Sequence, residues 1–225
     1  MSDSTGTRNQ ILERIRGSIG TAAGGMNGPA STDRQRELKE LPRRYIREGE
    51  LNADRRVELF EERVRDYDAT VCRVSHDGIS VAVADRLRVR SKNLLAVPAA
   101  LSPKWLPDGF TFVPADNLPS MKLDGFDGVI TACTVAIALT GSIVLQNAPG
   151  QGPRRLSLVP DYHLCIVFAE QIVETVPQAF DRLAATATLP TTFISGPSAT
   201  ADIEMTRIRG VHGPRTLDVL VVMDS

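Results

Sequence analysis

The chain has 225 residues, 42% hydrophobic and 24% charged, with a formal net charge of -1, which suits one large domain or a domain with an appendage. Acidic and basic residues also balance across the first 70 positions, so no basic field marks a nucleic-acid or anionic-membrane partner. The apolar runs are too short to span a bilayer, and Met1-Ser2-Asp3-Ser4 opens no signal peptide, so a cytoplasmic protein with no membrane span is expected.

Thr7 to Ile19 reads as a short amphipathic helix with Ile11, Leu12, Ile15 and Ile19 on one stripe. Gly20 to Ser31 has the composition of a flexible linker. Residues 1–31 are therefore expected to be a helical arm and linker, and residues 32–225 the main domain. A second helix is predicted from about Asp54 to Tyr67, with Val57, Phe60, Val64 and Tyr67 on one face and Asn52 or Asp54 as its cap. Alternating elements follow: strand at Thr70 to Val74, helix at Gly78 to Arg88, strand at Leu94 to Pro98 and strand at Thr111 to Val113. Pro103 to Pro107 is read as a loop that holds the single tryptophan, Trp105. Asp127 to Thr131 is read as strand, Thr134 to Leu139 as a short helix or turn, and Ser142 to Gln146 as strand. The last elements are a strand at His163 to Phe168, a helix at Thr175 to Ala187, and strands at Thr191 to Ser195 and Leu217 to Met223. Short Val/Ile-rich strands separated by helices predict an α/β fold, a mostly parallel sheet with helices on both faces.

Cys72, Cys133 and Cys165 stand singly in apolar segments, as buried small residues do. No close set of thiolates exists for an iron–sulfur cluster, and neither a zinc-type H-E-x-x-H string nor a phosphate loop occurs. No cofactor and no metal site are expected.

The densest group of small and hydroxylated residues is Gly196 to Glu204, followed by Gly210 to Arg215. Read as a turn that leaves a strand and opens a helix, Gly196, Pro197, Ser198 and Thr200 would present free N–H groups and hydroxyls to a small anionic ligand. The same residues also suit a simple helix cap. His212 is the candidate acid/base, Gly213 frees the loop beside it, and Arg215 either neutralises an anion or fixes the loop. Thr140, Gly141 and Ser142 form a candidate second wall, or a strand start with satisfied hydroxyls. Arg154 and Arg155 suit an acidic ligand or solvent, and Asp161 and His163 are read as residues at the start of a strand.

Several ordered motifs resemble the LUD-domain family, and within it the lactate utilization protein C group. They are Asp127-Gly128-Val129-Ile130-Thr131, the Ala136 to Leu145 segment, and Arg155-Leu156-Ser157-Leu158-Val159-Pro160. Gly196-Pro197-Ser198 with Thr200 to Glu204, Gly210 to Pro214, the N-terminal helix and Pro42 to Tyr45 extend the likeness to nearly the whole chain. The resemblance implies a fold akin to the NagB/RpiA/CoA-transferase superfamily. It also implies a role with iron–sulfur partner proteins in oxidising L-lactate to pyruvate, which fits a subunit without cluster-type cysteines. The alternative it leaves is a stand-alone enzyme or sensor for a phosphorylated or carboxylate small molecule. Two positions depart from the family pattern: Leu139 stands where relatives commonly carry Glu, and Ala199 where they carry Arg. Either an internal salt bridge has given way to apolar contact or a ligand-handling pair is gone.

Overall fold

A computed structural model describes residues 10–15, 17, 46–201, 207–209 and 213–224. The chain divides into two compact units, Met1–Tyr45 and Ile46–Ser225. In the first, residues 10–15 and 17 are helical, and Ile11 and Ile15 are exposed. The linker expected at Gly20 to Ser31 lies outside the described residues.

The second unit opens with helix α1 (Ala53–Asp66). Asn52 caps it by accepting from the Arg55 N–H at 2.9 Å, and Arg63 and Arg65 in its last turn offset the negative end of the dipole. Val57, Phe60 and Val64 form its buried stripe; full burial of a side chain such as Phe60 contributes about 2 kcal/mol. Strand β1 (Thr70–Val74) leads to helix α2 (Ile79–Arg90), which ends where Ser91 turns left-handed. Strands β2 (Leu94–Val97) and β3 (Thr111–Pro114) follow, then a single turn, α3 (Ser120–Leu123), and strand β4 (Gly128–Ala132). Three short strands come next with one long one between them: β5 (Val135–Ile137), β6 (Ser142–Gln146), β7 (Tyr162–Phe168) and β8 (Ile172–Val173). Helix α4 (Val176–Leu183) starts on a reciprocal cap between Thr175 and Gln178. The chain closes with β9 (Thr191–Ile194), β10 (Ala199–Ala201), β11 (Arg207–Arg209) and β12 (Thr216–Val222).

Six strands pair in the order β1-β12-β7-β4-β2-β3, all parallel. Alternate residues of β7 and β12 divide between two cores, as the two-residue period of a strand demands. Cys165, Val167, Leu217, Val219 and Val221 face α1 and a second sheet. Leu164, Ile166, Leu220 and Val222 face α2, with Trp105 and Phe112 alongside. This is the α/β architecture expected from the sequence.

The second sheet is the main departure from that expectation. β8-β5-β6-β9 form four strands in which only β5 and β8 are parallel. The segment read as helix or turn at Thr134 to Leu139 is β5, and the runs at Ser142 and Thr191 join this sheet rather than the parallel one. One face of the main sheet is thus covered by a helix and a sheet together, and α4 closes the far side of the small sheet through Ala179 and Leu183. Three residues of β5 are too few for periodicity to reveal; their pairing with β6 and β8 decides them. Of the cysteines, Cys133 and Cys165 are buried as expected, whereas Cys72 is half-exposed.

A buried ion cluster joins α2 to the main sheet. Asp218, on β12, is 1% exposed and accepts from Arg86 Nε at 2.9 Å, from Arg90 Nη2 at 2.6 Å and from the Tyr162 hydroxyl at 3.0 Å. Burial pushes its carboxyl up, but the hydrogen bonds from Arg90 and Arg86 outweigh that and leave it below the usual carboxylate range.

Candidate functional site

β9 ends at Ile194, and the turn that follows is tied down at both sides. Ser195 and Ser142 hydroxyls lie 2.7 Å apart, and Thr140 donates to Ser142 Oγ at 2.8 Å. Farther along, the Ser198 N–H donates to Pro214 O at 2.8 Å. Together with the main sheet this turn borders a half-open cavity of about 250 Å³. Ser157, Thr192, Ser195 and Ser198 give it hydroxyls, Phe193 and Leu217 give it apolar wall, and His163 contributes a ring. Among the described residues no charged side chain lines it.

The cavity sits at the amino-terminal ends of β7 and β12, where His163 and Leu217 are each the second residue of their strand. A ligand crevice in an open α/β sheet is expected outside the carboxyl ends of its strands. The difference follows from β9, which belongs to the small mixed sheet and delivers its turn to the amino-terminal end of the main one.

His163 is the residue that sequence reasoning passed over. It is 1% exposed, and its Nε2 lies 2.8 Å from Thr131 Oγ1. Its Nδ1 is buried with no hydrogen-bond partner among the described residues. Burial pushes its pKa down to about 4, so the ring is neutral at pH 7. A buried ring nitrogen left unpaired is costly, on the order of 1–3 kcal/mol, and such an atom calls for a role. The available signal was the alternation of β7, which sets His163 on the face of Cys165 and Val167 and so inward.

The predicted site residues divide. Gly196, Pro197 and Ser198 line the cavity, as does Ala199, one of the two departures from the family pattern. Gly213 lies beside Ser198, where an added Cβ would stand 3.4 Å from that of the serine. Thr140 and Ser142 reach the site only through the hydroxyl chain to Ser195. The other departure, Leu139, is in the turn before β6, its N–H donating to Glu174 O at 3.1 Å. Arg215 is 63% exposed and paired with Asp161, and Arg155 is spent on the backbone carbonyls of Leu118 and Asp116. His212, with Gly210 and Val211, lies outside the described residues.

Two sequence expectations change. No helix follows Gly196: Ala199–Ala201 is β10, paired antiparallel with β11, and Thr200 stands opposite Ile208. The row of free N–H groups that a helix start offers an anion is therefore missing there. Asp202, Ile203 and Glu204, which carried the helix reading, lie outside the described residues. The glycines also serve a different neighbour. Gly196 has φ +82°, and a Cβ on it would stand 2.4 Å from Tyr67 Cβ; Gly141 has φ +58°, with Arg63 Cβ at 2.8 Å. Both turns close against the end of α1. Gly196→Ala should therefore lower the unfolding free energy by about 2–3 kcal/mol from backbone strain and overlap, as read by urea denaturation; a loss near zero would show that the Tyr67 contact is easily relieved.

Among the described residues no group of three or more His, Cys, Asp or Glu side chains is placed to hold a metal ion, and no helix is long and apolar enough to cross a membrane.

The LUD domain family matches residues 119–222. The chain is 42% identical over 166 residues to Lactate utilization protein C of Deinococcus radiodurans, across 72% of this chain and 77% of that protein. With Lactate utilization protein C of Shouchella clausii it shares 38% over 101 residues, 43% of this chain and 44% of that protein, so that alignment spans under half of either. A crystal structure of a DUF162 family protein from Deinococcus radiodurans superposes with a TM-score of 0.68 at 37% identity, covering 77% of this chain and 99% of that one.

Proposed function

We propose, since this chain belongs to the LUD-domain family and to its lactate utilization protein C group, that it acts in the cytoplasm in lactate utilization, as a subunit working beside iron–sulfur partner proteins. The likeness to the Deinococcus radiodurans protein across most of both chains carries this reading. In it, electron transfer belongs to the partners, and this chain supplies the cavity at His163 as a pocket for a small ligand. The pocket has the marks of a binding site in its concave, hydroxyl-bearing lining and in the buried histidine of its wall.

The rival, a stand-alone enzyme for a phosphorylated molecule, draws less support. Such a ligand wants cationic side chains or a helix start, and the described cavity lining has neither.

The test is reconstitution. Purified iron–sulfur partner proteins are assayed for L-lactate-dependent reduction of a dye, with and without this chain. Omission should lower the rate at least about tenfold, a margin equal to roughly 1.4 kcal/mol of activation free energy. An unchanged rate would remove the subunit reading.

A further inference from the structure

Of the strands at the edges of the two sheets, three carry a feature that discourages further pairing. β1 holds Arg73, β3 ends in Pro114 and β8 is two residues long. β9, Thr191-Thr192-Phe193-Ile194, has neither charge nor proline, and among the described residues β6 is its one strand partner.

The ladder with β6 fixes which backbone groups of β9 point away. The Asn147 N–H donates to Pro190 O at 3.3 Å, whereas the Gln146 N–H turns from β9 to Gln151 Oε1 at 2.7 Å. Val144 O accepts from the Thr134 N–H at 2.9 Å on the β5 side. Hydrogen-bonded pairs alternate along an antiparallel ladder, so Thr192 and Ile194 bond to β6 opposite Leu145 and Ile143. The N–H and C=O groups of Thr191 and Phe193 therefore point outward, with no hydrogen-bond partner among the described residues. The side chains divide between the two faces. Ile194 packs on the core between the sheets, whereas Phe193 is 45% exposed on the α4 side. Its ring lies 5.9 Å from that of Phe180, itself 56% exposed, and the two border an apolar groove with Leu183, Ala184 and Ala187.

An extended strand is the occupant that supplies donors and acceptors at the spacing of such an edge. This edge is also complementary to itself. A twofold axis at Thr192 sets Thr191 opposite Phe193 of a second copy, and Thr192 opposite its own counterpart. Each outward-facing residue then falls in a pair that exchanges both hydrogen bonds, and the threonines form the close, non-hydrogen-bonded pair between them. The ladder ends there of itself, because the Leu189 N–H is taken by Thr186 O and its carbonyl by Thr191 Oγ1. With no charge on the strand, like meets like without repulsion. Phe193 of one copy becomes the diagonal neighbour of Phe193 of the other, within reach of an aromatic side chain.

We propose that β9 pairs in this register with β9 of a second copy of the chain, joining two small sheets into one across a twofold axis. Thr192, Phe193 and Ile194 also line the cavity at His163, so the added strand lies about 4.8 Å from that wall. The pairing does not depend on the lactate-utilization reading.

Sedimentation velocity on the full chain, from about 1 to 100 μM, reads the association directly, with a dissociation constant on the order of 10 μM expected for so short an interface. A monomer throughout this range overturns the proposal. Phe193→Lys places like charges beside the axis and should weaken the dimer at least about tenfold. Val89→Lys, at a position 66% exposed on α2, should leave it intact. Both variants should keep the circular dichroism spectrum of the parent. A dimer that Phe193→Lys does not weaken uses another face and overturns the proposal. Cysteine cross-linking tests the register without relying on a charge. In a Cys72→Ala background, mild oxidation should join Thr192→Cys into a covalent dimer, since opposed residues of a non-hydrogen-bonded pair have Cα atoms about 4.5 Å apart. Thr191→Cys, set opposite Phe193, should cross-link far less. Equal cross-linking at the two positions, or none at Thr192, overturns the pairing. A partner system that oxidises lactate without this chain removes the subunit reading and leaves these measurements as found.

Discussion

Asp218→Ala is expected to lower the unfolding free energy by about 4 kcal/mol, the largest loss of any single substitution considered for this protein. The carboxylate is 1% exposed and is the common acceptor for Arg86, Arg90 and the Tyr162 hydroxyl. Removing it leaves two guanidinium groups, 17% and 30% exposed, and a buried phenol without the carboxylate they share. Most of the penalty is the cost of those stranded groups rather than the worth of the attraction itself. Arg90 also donates to Thr70 Oγ1 at 2.9 Å, so the loss loosens β1 together with α2. Urea denaturation of Asp218→Ala and Arg90→Met beside the parent chain gives the measurement. The second variant should lose clearly less, because the more exposed guanidinium goes and Arg86 remains on the carboxylate. A loss under 1 kcal/mol for Asp218→Ala would mean that the cluster contributes little to the docking of α2.

The second large effect is on acid stability. The pKa of His163 is lowered to about 4 by burial, against about 6.5 in an unfolded chain. Between these values the unfolded state binds the proton and the folded state does not, so acid favours unfolding. The contribution of this ring is complete above pH 6.5, is lost as the pH falls toward 4, and levels off below. The loss amounts to about 2 kcal/mol at pH 5 and about 3 kcal/mol at pH 4. Asp218 acts in a separate window: its carboxyl is lowered in the fold, so its stabilisation is present above the ordinary carboxylate pKa and fades only under stronger acid. His163→Asn, which cannot take up the proton, should show an unfolding free energy that falls less from pH 7 to pH 4, by about 3 kcal/mol, than that of the parent. Parallel pH profiles for the two proteins would show that His163 is protonated in the fold without penalty.

The same histidine marks where reading the chain stopped short. In Asp161-Tyr162-His163-Leu164-Cys165 a polar residue just inside an apolar run looks like the wet end of a strand. Its burial depends on β4 and β12, which flank it at Val129 and Leu217, and on a turn after β9 that closes over it. Those partners are more than 30 residues away in either direction, beyond any local pattern. The Gly196 turn was legible as unusual, and the structure sets its Gly196, Pro197 and Ser198 on the cavity wall. Its geometry was misjudged because the Ser/Thr and acidic residues that follow satisfy a helix cap and a hairpin equally well. Pairing with Arg207–Arg209 decides for the hairpin.

The sequence by itself determined the α/β class, the strands of the parallel sheet and the helices of the main domain, with Asn52 among the two candidate caps of the first. These follow from two-residue and 3.6-residue periodicity and from side chains that meet backbone groups three positions away, all of them short-range physics. Only the tertiary structure decided that β5, β6 and β9 form a sheet of their own, that the cavity opens at the amino-terminal ends of β7 and β12, and that a neutral, half-paired histidine sits in its wall. Each depends on which distant strand supplies the hydrogen bonds and which surface is withdrawn from water, and those are properties of the assembled fold.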